Sequence, residues 1–310
     1  MELSSLEAMF NGQSSRKMLL EVFPIVQDIW EGKRTELIQS GYEHASYSFL
    51  RNGITTVNTM DYHPESGVDA IGEAGLRAVM GHVASDLFLK TDVEEILERE
   101  RKFIKQCSGS YNGRITPSIS CQGDLYCSRE LWEGLSSLWS EYPELPFHTH
   151  LLEMPESRLM SKANGAEGSV ELLQELDLLR ENTALAHFIH ANEEELKMIQ
   201  AAGAGLLHCP RLLETYDFND YWPRVDLADK FNIDTGLGLD DHYWAESNQL
   251  VDEAQKAFEE LVKQGEAQAE LRYLTKEGTK GYMVVNAVRV SKYRYLGFAL
   301  DITKRKEAEE

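Results

Sequence analysis

The stretch Pro146–Glu153, PFHTHLLE, decides how this chain folds. It is a short apolar run, opened by a proline, that ends on a histidine and an acid. A run of this kind, bounded by turn signals, reads as a buried strand of a parallel sheet. Three more stretches follow the same plan: TALAHFIHANEEEL from Thr183, AGLLHCPR from Ala204 and NIDTGLGLDDH from Asn232. Together they deliver His150, His187, His208 and Asp240 at the C-terminal ends of their strands. An α/β barrel keeps its chemistry at that end. Four such strands in order point to a metal-dependent hydrolytic site.

Upstream, ITTVNTM (Ile54–Met60), LRAVMGHVA (Leu76–Ala84) and RITPSISC (Arg114–Cys121) also read as strands. Helices lie between, most clearly Val93–Gln106 and Arg129–Ser140. Alternation of strand and helix favours a parallel sheet with right-handed crossovers. The strands number seven, near residues 55, 79, 117, 148, 186, 206 and 236. A closed (β/α) barrel needs eight, and the one missing is the first. The expected fold is therefore α/β, an incomplete (β/α)8 TIM-type barrel of about seven strands over residues 1–250. Strand two and strand eight would then carry unpaired backbone edges, which invite self-association. Residues 16 to about 51 look largely helical, with Leu19, Phe23, Val26, Ile29 and Trp30 recurring at helical steps. Pro24 implies a kink or a helix start within them. Gly53 ends the second helix in a position that tolerates left-handed backbone.

The chain changes style near residue 250. Residues 251–310 hold 11 basic and 11 acidic side chains, so the entire net charge of −21 falls in residues 1–250. All nine histidines lie at or before His242. After a helix at Val251–Gln264 come AELRYLTKEG, TKGYMVVNAVRV and YRYLGFALDIT, which read as antiparallel β with a hairpin turn at Lys276-Glu277-Gly278. The terminal KRKEAEE reads as a charged helical start.

Composition narrows the function. A charge of −21 argues against nucleic acid as a partner, since phosphate binding needs a basic face. No run of about 18 apolar residues exists, so no membrane span is expected. The opening MELSSLEAMFNGQSSRK lacks a basic segment followed by an apolar one, so a cytoplasmic protein without a secretory signal is expected. Cys107, Cys121, Cys127 and Cys209 form no Cys-x-x-Cys pair, which fits a reducing compartment and no zinc knuckle. Cys209 beside His208 has two readings, a nucleophile or a buried small hydrophobe, and the second is favoured because no activating partner is specified.

Residues 1–250 resemble the amidohydrolase superfamily, near its cytosine-deaminase, chlorohydrolase and adenosine-type deaminase branch. The resemblance rests on Asn52–Val57 (NGITTV), Gly75–Val79, His148–Glu153, Ala186-His187, His208–Pro210 and Leu237–Asp240. It implies one divalent metal, in all expectation zinc, held by His150, His187 and Asp240. It further implies that Glu153 shuttles protons, that His187 positions the water and that Asp240 takes a proton from it. His208 and Gln122 become the candidates for contact with a small-molecule substrate. The implied reaction is hydrolysis at a C–N bond, the deamination of a heterocycle. The sequence departs from the family in three places. The His-x-His pair at the end of the family's first strand has no counterpart before Gly53, and His44 falls in a helix. Gln122 stands where many members have a histidine. Asp241 stands where a glycine usually follows the aspartate. These departures support an alternative reading, a catalytically inactive signalling or scaffold fragment or a truncated chimeric product.

The last residues resemble the C-terminal half of a PAS sensory domain, on Glu270–Tyr273, Lys276–Thr279 and Gly297–Lys306. The PAS-like segment is partial, so neither haem nor flavin is expected there. Elsewhere, alternation puts His148 and His150 on one side of their strand and Thr149 on the other. His148 is then a packed, hydrogen-bonded core histidine. His190 is expected at the mouth of the barrel and His63 on a surface loop. Asp241 and His242 are candidate substitute ligands, and Glu193–Glu195 reads as a solvated helix start.

Overall fold

The computed structural model describes residues 1, 31–33, 35–209, 225–240, 266–274, 280–291 and 294–301. The expected helix through Pro24, the helix at Val251–Gln264, Asp241, His242, the Lys276–Gly278 turn and the C-terminal KRKEAEE lie outside the described residues. By contact density the chain divides into two units, Met1–Leu250 and Val251–Glu310.

In the first unit the apolar runs become strands. They are β1 (Thr56–Asp61), β2 (Arg77–His82), β3 (Ile115–Pro117), β4 (Ile119–Cys121), β5 (Phe147–Leu151), β6 (Thr183–His187), β7 (Gly205–His208) and β8 (Thr235–Leu237). The order is β1-β2-β3 in one sheet and β4-β5-β6-β7-β8 in the other, parallel throughout. RITPSISC, expected as one strand, breaks at Ser118 into β3 and β4. The first half pairs with β2 and the second with β5. Ser118 N–H donates to Met80 O at 2.7 Å, and a parallel bridge joins Ala84 to Cys121, so the wall continues across the break. A wall that turns a corner must switch partners somewhere, and this strand does so. Among the described residues β1 and β8 have no strand on their outer edges.

Helices cover the outer face. They are α1 (Thr35–Arg51), α2 (Val68–Ala74), α3 (Val93–Cys107), α4 (Arg129–Glu141), α5 (Ser157–Ala163), α6 (Ser169–Glu175), α7 (Glu193–Ala202) and α8 (Val225–Lys230). Side chains define their starts. Asp92 accepts from the N–H groups of Glu94 and Glu95, and Ser128 accepts from Leu131 N–H. At α7, Asn192 and Glu195 cap each other reciprocally. Gly53, at φ +78, closes the turn after α1 as expected.

The core has two parts. The larger packs β4–β7 against α3, α4, α6 and α7 through Trp132, Trp139, Phe147, Leu135, Leu173 and Leu185, all fully buried. Trp139 also donates its indole N–H to Leu145 O at 2.8 Å, and the Arg180 guanidinium lies 4.2 Å from its ring. The smaller, around Ile38, Tyr42, Ile71, Met80 and Phe103, packs α1 and α2 on β1–β3. Beside it lies a charged cluster that strand and helix patterns did not reveal. His82, at the end of β2, is fully buried, as is Glu100 of α3. His82 Nδ1 lies 3.0 Å from Glu100 Oε1, and His82 Nε2 lies 3.1 Å from Glu65 Oε2. Burial alone would lower the His82 pKa. The charge of Glu100, with hydrogen bonds to Glu100 and Glu65, outweighs it and holds the pKa above the usual histidine value. His63, expected on an exposed loop, is only 16% exposed and lies 3.8 Å from Glu65.

The second unit is a three-stranded antiparallel sheet of β9 (Glu266–Leu274), β10 (Lys280–Ser291) and β11 (Arg294–Asp301), in the order β11-β10-β9. Leu274 pairs with Lys280 at the closed end of its first hairpin.

Candidate metal and active site

The strands bring their terminal polar residues to one end of the first unit. His187 Nε2 lies 3.8 Å from Asp240 Oδ2 and 4.0 Å from Glu153 Oε1. The rings of His150 and His187 stack 5.1 Å apart. His150, His187 and Asp240 border a cavity of about 220 Å³ whose other walls include β1, through Val57 and Met60, and the end of β8, through Leu237 and the following Gly238.

The backbone at these strand ends is unusual. Leu152, His187, Phe188 and Asp240 have φ of 51°, 77°, 40° and 60°. Left-handed backbone costs a side chain-bearing residue roughly 1–3 kcal/mol and persists where the surroundings enforce it. At His187 the enforcement is visible. Phe188 N–H reaches back to Ala186 O at 3.2 Å, closing a γ-turn, and also donates to Leu151 O at 2.9 Å. The turn swings the His187 ring towards Asp240 and away from the sheet.

His150 is aimed by a different device. Its Nδ1 lies 2.6 Å from the carbonyl oxygen of Gln122, so Nδ1 carries the proton and Nε2 keeps the lone pair. A metal-binding imidazole is commonly oriented in this way. Gly123, at φ +125, permits the approach, since a Cβ there would sit 2.6 Å from His150 O. Sequence reasoning missed the neighbour that holds the next loop. Asp124 is 97% buried and accepts from Leu152 N–H at 3.0 Å and from Ser157 Oγ–H at 2.9 Å. Burial raises its pKa despite these bonds. Asp124 thereby fixes the strained Leu152 and, through it, Glu153. An acid directly after Gly123 was the only available signal.

The remaining candidates are placed as follows. His208 is 2% exposed, with its ring edge-on to Phe188 at 6.4 Å. The Gln122 side chain accepts from the Tyr62 hydroxyl at 3.3 Å. Neither borders the cavity. His148 is packed as expected and 7% exposed. It lines the same cavity, but its Nδ1 meets no hydrogen-bond partner among the described residues, contrary to the bonded histidine expected. Burial, then the neighbouring His150 and His187, press its pKa down to about 3. Glu195, expected in solvent, is 1% exposed and binds Arg158 through contacts of 2.6 and 2.8 Å. Arg158 also donates to His190 O at 2.7 Å, so the pair ties α5 to α7 and to the loop after β6. All four cysteines are buried and none is in a disulfide.

The donor set suits a divalent cation of the zinc class. An imidazole nitrogen of His187, Cys209 Sγ and a carboxylate oxygen of Asp240 lie within 4.8 Å of one another. Nitrogen, sulfur and oxygen donors on a cavity wall are what zinc takes.

A parallel α/β wall with histidine and aspartate at its strand ends is a barrel-type wall that gathers its polar residues at the C-terminal face. The sequence pattern of the Amidohydrolase family matches residues 16–271, and the chain belongs to that family. Among similar proteins is the 5'-deoxyadenosine deaminase of Methanosphaera stadtmanae, 28% identical over 185 residues, which are 59% of this chain and 43% of that one. The 5-methylthioadenosine/S-adenosylhomocysteine deaminase 2 of Archaeoglobus fulgidus is 24% identical over 218 residues, 69% of this chain and 52% of that one. The chain thus spans about half the length of these relatives. Among solved structures, the guanine deaminase of C. acetobutylicum superposes with a TM-score of 0.73 at 20% identity, covering 84% of this chain and 64% of that one. A zinc-bound adenosine deaminase from Xanthomonas campestris does so with a TM-score of 0.71 at 18% identity, covering 83% and 57%. These superpositions carry the TIM-type barrel fold.

Proposed function

We propose that the first unit is a metal-dependent hydrolase that deaminates a heterocycle, with an adenine nucleoside as substrate class. The observation that carries this reading is His187 at the end of β6, with Asp240 at 3.8 Å and Glu153 at 4.0 Å. His150, His187 and Asp240 hold one divalent cation, zinc by preference. Such a cation, when bound, supplies the Lewis acidity that brings the pKa of water to about 7. Asp240 takes the proton of the attacking water, and Glu153 delivers a proton to the ring nitrogen beside the carbon attacked. Asp240 passes its proton to the exocyclic amine, which leaves as ammonia, and the hydroxyl left on the carbon returns a proton to Glu153 as it becomes the carbonyl. Gln122 and His208, expected to contact the substrate, do not border the cavity and take no role in the step. Relatives named for adenosine-type substrates support the substrate class.

The second unit fits the C-terminal half of a PAS domain, a proposal supported by its antiparallel order and by the Asp301-Ile302-Thr303 sequence. No described helix is long and apolar enough to cross a membrane. A cytoplasmic protein acting on small molecules, without nucleic acid, and able to self-associate through β1 and β8 fits these features. The rival reading, an inactive signalling or scaffold fragment, rests on one observation: the only His-x-His in the chain is His148-Thr149-His150, in β5.

Zinc-loaded protein and ammonia release from adenine nucleosides test the proposal. Glu153→Gln should lower turnover by about 10²–10⁴ while keeping its zinc, since it loses a proton carrier and no ligand. His150→Ala should lose the zinc. Zinc-loaded protein that releases no ammonia from any adenine nucleoside would favour the inactive fragment.

A further inference from the structure

We propose that Cys209 is a metal ligand, its thiolate completing with His187 and Asp240 the site that lacks a first-strand histidine pair. The inference rests on the metal-dependent reading above and adds a further donor, sulfur, to its His150, His187 and Asp240. Cys209 follows β7 directly and is 8% exposed, so a hydrophobic role would be its ordinary interpretation. Its position says more. The sulfur falls in a three-donor group with His187 and Asp240, all within 4.8 Å, whereas His150 stands outside that group. In a tetrahedral zinc site with bonds of about 2.0–2.3 Å, neighbouring donor atoms are about 3.3–3.8 Å apart. Side-chain rotations of an ångström draw the three donors onto one ion.

Two further features favour an ion here. Gly238 gives the sulfur its room, because a Cβ at that position would lie 2.9 Å from Cys209 Sγ. His148, over nine-tenths buried, lines the same cavity and leaves Nδ1 without a partner among the described residues. An unsatisfied buried polar atom destabilises the fold. A cation, or water ordered beside one, relieves that cost. The chemistry follows from the donor. Thiolate is soft and selects zinc, cobalt or cadmium over magnesium and manganese. Binding releases the thiol proton, so uptake strengthens as pH rises.

The test uses the full chain loaded with cobalt(II) or zinc. Cobalt-loaded protein should show a near-ultraviolet thiolate-to-cobalt charge-transfer band, and Cys209→Ser should abolish it. Zinc affinity of Cys209→Ser should fall at least about tenfold, measured against a chromophoric chelator. X-ray absorption at the zinc edge of the wild-type protein should show one sulfur neighbour, a result that needs no variant to fold. Metal bound with nitrogen and oxygen neighbours only, and unaffected by Cys209→Ser, overturns the inference and leaves the metal-dependent reading standing. Failure of the wild-type protein to take up either metal overturns both.

Discussion

The strands β5 and β8 differ in almost everything except their direction. In β5, Phe147, His148, Thr149 and Leu151 are buried, both neighbours are in place, and two tryptophans pack behind it. In β8 all three residues are exposed, and among the described residues only β7 pairs with it. Yet both deliver candidate chemistry, His150 from one and Asp240 just after the other. One half of the site therefore stands on a rigid wall and the other on an edge. Local stability varies widely within a fold, and functional elements are often drawn from its weak end. The geometry of the site therefore depends on whatever holds β8 in register.

The largest test of this contrast is Trp139→Ala behind β5. It should cost about 3–5 kcal/mol in urea denaturation, from the lost ring and the cavity left behind. A loss under about 1 kcal/mol would mean that the wall is no firmer than the edge. Hydrogen exchange comes next. Residues 56–58 and 235–237 should exchange on the order of a hundredfold faster than residues 147–150. Slower exchange at the edges would show that another strand covers them.

The buried pair behind β2 sharpens the contrast through pH. His82 is held above its usual pKa, so its contribution is complete below pH about 6.5 and disappears as pH rises through the raised value. Stability should fall with a slope of up to about 1.4 kcal/mol per pH unit across that window. Glu100→Gln should flatten the slope; an unchanged profile in that variant would remove Glu100 as the cause. The smallest effect belongs to Leu237→Ala, at 39% exposure on β8. It should cost less than about 1 kcal/mol by denaturation. A cost equal to that of Trp139→Ala would mean that the edge is buried in solution.

The strands were legible because period and length are local properties. PFHTHLLE and TALAH announced β5 and β6, and their strand-end histidines followed directly. Helix α3 was legible to within one residue of its end. What escaped depends on neighbours far along the chain. Glu100 sits in a run of charges with no local sign of burial, yet a strand 18 residues earlier buries it against His82. Glu195 escaped in the same way, because Arg158 reaches it from 37 residues away. The break at Ser118 was invisible because both halves of RITPSISC are good strands. Cys209 looked inert because its partners come from β6 and from beyond β8.

The left-handed turns at Leu152, His187, Phe188 and Asp240 have a consequence for anyone evolving this protein in the laboratory. Each is a place where one codon change to glycine would relax the backbone. A screen rewarding heat resistance alone would still spare Leu152, whose side chain is fully buried in the larger core and whose removal costs about 2–5 kcal/mol. Leu152→Gly would also loosen the loop that carries Glu153. Asp240, only partly buried, is where glycine should give a hotter protein with slower turnover, and the gain in stability would measure how much this site keeps invested in its shape.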